Sequence, residues 1–129
     1  MESTVSIDQF QEELQTWKHE LSSFKHEIRH FEHRLESMSS KNLPKDLLAQ
    51  IEHFQNSFIC QKEVIDKLRH DLPDSRHKVE NIFKNLYPFH EEEKGMDAQG
   101  MLGERMDIFR RIYGEVREDF RKFEADFIV

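Results

Sequence analysis

Apolar side chains fall at Ile7, Phe10, Leu14, Trp17, Leu21, Phe24, Ile28, Phe31, Leu35 and Met38, at spacings that alternate three and four without a slip. That alternation is the a and d stripe of a heptad repeat, and it predicts a helix over about 6–39. Ser39-Ser40-Lys41-Asn42 interrupts it, and Pro44, whose fixed φ suits the first position of a helix, opens the next element. The second stripe is Leu47, Ile51, Phe54, Phe58, Gln61, Ile65, Leu68 and Leu72, with one polar member. Pro73 follows, yet the phase persists through Ser75, Val79, Ile82, Leu86 and Phe89. The pattern therefore predicts one long helix over about 44–87, kinked or briefly broken near 73, where proline removes a backbone bond and crowds the carbonyl four residues back. A third stripe, Leu102, Met106, Phe109, Tyr113, Val116, Phe120, Phe123 and Phe127, predicts a helix over about 98–128.

Every phenylalanine except Phe83, together with Trp17 and Tyr113, occupies an a or d position. Rings of that size fill a wider core than a two-stranded seam offers. The expected fold is all-α: a single domain over 1–129 that forms an antiparallel three-helix coiled-coil bundle with a long, Pro-kinked second helix. The flanking charges give a register. Glu13, Glu20 and Glu27 line the g edge of the first helix, and Arg110 and Arg117 the e edge of the third, so Glu13 is expected to pair with Arg110 and Glu20 with Arg117. The same alignment brings Glu27 beside Glu124. It also leaves the second helix roughly twelve residues, or ~18 Å, longer than its neighbours. The irregular end of the molecule is then 73–103, which holds Pro73, Pro88, Gly95, Gly100, Gly103 and the acidic run Glu91-Glu92-Glu93.

The overhang carries the candidate interaction patch: Phe83, Leu86, Tyr87, Phe89, Met96, Met101 and Leu102 lose a third helix to pack against. Either the segment over 74–98 folds back to cap the bundle, or it projects as an apolar contact surface, and pairing of two such ends would make a homodimer.

Composition narrows the partners. In 129 residues, charged side chains are 35% and the formal charge is -7, which disfavours the phosphate-neutralising surface that nucleic acid requires. The lone Cys60 excludes a disulfide framework within the chain and a cysteine zinc cage, and suits a reducing compartment. No apolar run approaches the roughly 18 residues of a membrane span, and the first residues lack a leader pattern. A cytoplasmic protein without membrane or nucleic-acid contacts is expected.

The sharpest motif is His26-Glu27-Ile28-Arg29-His30, a match to H-E-x-x-H, in which two histidines one turn apart bind zinc and the glutamate activates the metal-bound water. Glu52 has the spacing of a third ligand. The heptad frame argues against it, because His26 falls at f, Glu27 at g and His30 at c, on an outer face with no strand to hold a peptide. Glu27 and His30 also form the E-x-x-H half-motif of di-iron bundles, but no a or d position carries Asp, Glu or His. Eight histidines, four of them (His19, His26, His30, His33) on the outer face of the first helix, would carry the formal charge from -7 to +1 on protonation. Cys60 and His53 lie on an exposed face without an orienting third group, so the thiol reads as inert. Gln61, polar in a core position, reads as a register device that demands a hydrogen-bond partner.

Ile51-Glu52-His53-Phe54-Gln55-Asn56-Ser57-Phe58-Ile59, followed by Ile65-Asp66-Lys67-Leu68-Arg69-His70-Asp71, resembles the middle helix of a group of small uncharacterised bacterial coiled-coil proteins. With the stripe over 17–35 the resemblance touches about half of the chain. It implies a bacterial, cytosolic helical protein and carries over no functional residue, since the group has no established activity. Trp17 on the core face of the first helix is also similar to the tryptophan of spectrin-type three-helix repeats, a likeness of architecture alone. The expectation is a non-catalytic helical-bundle protein that needs no cofactor and acts through contacts with a protein partner. The alternative is a metal-binding bundle using His26 and His30, with a zinc hydrolase as its outer limit.

Overall fold

Each stripe becomes helix in the computed structural model, which describes residues 2–85 and 91–128, with side-chain surroundings for 7–82 and 99–127. Among these residues the chain is all-α, with four helices and no strand: α1 (Glu2–Ser39), α2 (Lys45–Asp71), α3 (Arg76–Asn85) and α4 (Glu91–Ile128). No helix among them is long and apolar enough to cross a membrane.

Pro44 stands at the start of α2 in extended conformation, and its carbonyl accepts the Leu48 N–H at 3.1 Å. Asp46 in the first turn and Arg69 and His70 in the last complement the helix dipole. Of the two forms expected for the helix over 44–87, kinked or briefly broken, the structure has the break. Proline bars the residue before it from helical geometry, so Leu72 leaves α2 with φ -74° and ψ 134°. The helix restarts at Arg76, where the Ser75 hydroxyl accepts the Lys78 N–H at 3.2 Å as an N-cap. Leu72 and Val79 are both buried, so the apolar phase survives the break.

Ion pairs give the directions of the elements. On α1 and α2 the numbers run oppositely, Lys25 pairing with Asp66 at 2.6 Å and Glu32 with Lys62 at 2.9 Å. On α1 and α4 they rise together: Glu20 with Arg110, Glu27 with Arg117 and Arg34 with Glu124. This register is one heptad away from Glu13–Arg110 and Glu20–Arg117. Its physical advantage is plain, since Glu124 meets Arg34 rather than the like charge of Glu27, and Glu13 accepts from Gln99.

The ends of the bundle also differ from expectation. α1 begins at Glu2 rather than near 6, and α4 at Glu91 rather than near 98, its first turn opening on three glutamates, the residue type that a helix N-terminus favours. α3 packs against both α1 and α4, with Arg76 bound to Asp8 and Ile82 partly buried against the core. The start of the expected overhang is thus covered.

Aromatic rings fill the interior in layers. Phe31, Phe58 and Phe120 lie within 5.6 Å of one another between ring centroids, and Phe54 joins Phe120 at 5.5 Å and Phe123 at 5.1 Å. Phe24, Phe109 and Tyr113 form the next layer. Each such pair contributes about 0.5–1.5 kcal/mol beyond area burial.

Candidate functional site

The H-E-x-x-H motif is present as helix but comes apart as chemistry. His26 and His30 stand edge to face, Nε2 to Nε2 at 3.3 Å, and both are exposed. Glu27 points elsewhere: its Oε1 accepts the Tyr113 hydroxyl at 2.5 Å and Arg117 Nε at 2.9 Å. The carboxylate that would activate a metal-bound water is therefore committed to the seam between α1 and α4. Tyr113 is fully buried, and that burial, with the bond to Glu27, pushes its phenol well above the ordinary tyrosine range. Glu52 lines a hollow between α1 and α2 with Glu32 and Glu36, away from the two histidines. Among the described residues no three His, Cys, Asp or Glu side chains gather to hold a metal ion. Cys60 is exposed, while the His53 ring rests edge-on against Phe54.

A different feature emerges where helices meet at their g edges. The α1/α4 seam is closed by charge: Arg110 grips Glu20 through two bonds of 2.7 and 2.6 Å, and Arg34 grips Glu124 through two of 2.6 Å. Among the described residues the seam between α2 and α4 has only the pair of Arg105 with Asp71, at 2.8 Å, near one end. Arg105, with His70 beside it, holds the Asp71 carboxyl below the usual carboxylate range. Beside that pair the seam exposes apolar groups. Val64, Ile108 and Ile112 are 39%, 42% and 41% exposed. They rim a hollow of about 250 Å³ that Lys67, Leu68 and Phe109 also line.

Gln61 lines the same hollow. It is 8% exposed, and its Oε1 has no hydrogen-bond donor. The expected core position is correct, and the partner it demands is not supplied by the described residues. Farther along the seam Asp119 and Asp126 line a second hollow with Gln50, His53 and Phe54. Of the patch expected at the irregular end, Met101 is 67% exposed and stands two turns before Ile108 on the same line of α4, whereas Leu102 packs against the core. Phe83, Leu86, Tyr87, Phe89 and Met96 lie outside the described side chains.

The heptad reading passed over Val64, Ile108 and Ile112 because it followed the a and d lines. The signal was an apolar residue at g (Val64, Ile112) or c (Ile108), where a solvated coiled coil carries charge. No protein-family model matches the chain, and no curated protein or solved structure gives a significant match.

Proposed function

We propose that the chain is an antiparallel three-helix bundle, with α2 and α3 together making its middle arm, that acts as a non-catalytic cytoplasmic protein-contact module through the open α2/α4 seam. One observation carries this reading: the α2/α4 seam exposes Val64, Ile108 and Ile112 where the α1/α4 seam carries ion pairs. An apolar helical surface laid along the hollow would bury them, each contributing roughly 1 kcal/mol for the part still exposed. Met101, itself a member of the Phe83 to Leu102 patch, extends the exposed apolar line of α4 beyond Ile108.

The test is a photocrosslinking side chain placed at Ile108 in the native host, with Arg29 on the outer face of α1 as control. Specific crosslinked protein is expected from position 108 and not from 29. Identical, diffuse products from both positions would refute the docking role.

The other reading, metal binding at His26 and His30, rests on their 3.3 Å approach. Two imidazoles supply half of the four ligands that structural zinc takes, so micromolar or weaker Zn²⁺ binding is its expected signature. Calorimetry of wild type against His30→Ala measures it.

A further inference from the structure

The docking reading leaves the occupant open, and the unpaired groups around the hollow narrow it. Along the seam two charged groups have no ion-pair partner among the described residues: the Lys67 ammonium at the hollow and the Asp119 carboxylate farther along it. Arg105 spends only Nη2 on Asp71 and keeps its other donors. Because Arg105 pairs with Asp71 and Phe120 packs on Phe54 and Phe58, the two helices run oppositely, which puts Val64 level with Ile112.

Their spacing is symmetric about that level. On α2, Gln61 and Lys67 lie three residues to either side of Val64; on α4, Arg105 and Asp119 lie seven residues to either side of Ile112. A twofold axis that crosses both helices there, in the plane of contact, turns Arg105 onto Asp119 and Lys67 onto the level of Gln61. Resting on the docking reading, we infer that the occupant of the α2/α4 hollow is a second copy of this chain, packed antiparallel about that axis.

In the pair, Arg105 meets Asp119 of the partner subunit and Lys67 lies over the hollow that Gln61 of the partner subunit lines, each contact occurring twice. Val64 and Ile112 lie on the axis against their own copies, and the exposed apolar strip becomes the centre of an isologous interface.

Analytical ultracentrifugation of the full chain over a wide concentration range tests this, with three sets of variants at exposed or half-buried positions. Ile112→Asp should weaken self-association about a hundredfold, since it removes two apolar side chains per dimer. Arg105→Glu and Asp119→Lys should each weaken it about tenfold, and the double variant should recover most of the loss, because the swapped charges face each other again. With Cys60→Ser in place, Ile112→Cys should form a disulfide to its own copy under mild oxidation, whereas Arg29→Cys should not. Dimers that survive Ile112→Asp, or single charge variants that the double does not rescue, would overturn the inference. A monomer at all concentrations whose position-108 crosslink holds a different protein would overturn the second copy and leave the docking reading standing. A monomer without specific crosslinks would remove both.

Discussion

The seams that α4 makes with α1 and with α2 are built on the same heptad lines and finished differently. Toward α1 its e edge carries Arg110, Arg117 and Glu124, each paired across the gap. Toward α2 its g edge carries Arg105, Ile112, Asp119 and Asp126, and only Arg105 has an ion-pair partner among the described residues. Both seams share the aromatic interior, so the difference lies in the flanking positions. Charge there closes a seam within one chain, while exposed apolar groups beside unpaired charge leave it ready for another surface.

The largest effect should come from breaking what the two seams share. Phe120 packs tilted against Phe31 of α1 and edge-on against Phe54 and Phe58 of α2. Phe120→Ala should cost about 3–5 kcal/mol of unfolding free energy, the usual range for emptying a buried aromatic site. Urea denaturation gives the figure, and a loss below about 1 kcal/mol would mean that the ring is not central to both.

A sharper contrast sets Glu27→Ala against Ile112→Asp. The first leaves the buried Tyr113 hydroxyl without its acceptor and Arg117 without its partner, at a cost of about 1–3 kcal/mol. The second alters an exposed flank and should change the stability of the monomer by less than about 0.5 kcal/mol, while abolishing contacts made through the seam. Equal destabilisation by both would erase the distinction between a closed and an open seam.

The Glu27 network also has an alkaline signature. Burial and the bond to Glu27 raise the folded Tyr113 pKa above its unfolded value near 10. The stabilisation is fully present below about pH 10 and is lost as pH rises through the folded value. Melting of wild type should therefore fall more steeply above pH 10 than that of Tyr113→Phe.

Much of this architecture was legible in the spacing of apolar residues. The stripe of α1, the start of α2 after Pro44 and the stripe of α4 follow from periodicity, and Gln61 stood out as polar in an apolar line. What was hidden depends on three dimensions. Whether the helix kinks or breaks at Leu72 turns on a single backbone angle that the unbroken apolar phase disguised. The register of α1 on α4 turns on one heptad, which spacing alone leaves free and the repulsion of Glu27 and Glu124 disfavours in one alternative. In His26-Glu27-Ile28-Arg29-His30 the letters agree with a metal site, but one helical position turns Glu27 toward Tyr113 and Arg117 and leaves the histidines on the solvent side.

Gln61→Leu tests the open seam from inside. Its Oε1 is buried without a donor, so removing it should stabilise the isolated monomer by about 1 kcal/mol, the reverse of what loss of a paired polar group does. Because that oxygen is closed to any outside donor, the same change should leave association through the seam largely intact while the monomer gains stability. Comparing melts at low and high protein concentration separates the two responses.

The smallest effect belongs to the Arg105–Asp71 ion pair of the α2/α4 seam. Arg105, and His70 after it, hold the Asp71 carboxyl below the ordinary range, so its folded pKa lies beneath the unfolded value near 4. A depressed carboxyl contributes stability that is present above about pH 4 and is lost as pH falls through the folded value. Asp71→Asn should therefore leave the melting temperature near pH 7 slightly lowered and the difference from wild type should shrink toward pH 2, where both lack the charge. Asp71 is exposed enough for salt to screen the pair, so 1 M NaCl should shrink the same difference at pH 7. A difference that persists at pH 2 and in salt would mean that Asp71 acts by packing at the end of α2 rather than by charge, and the seam would then hold no electrostatic closure at all.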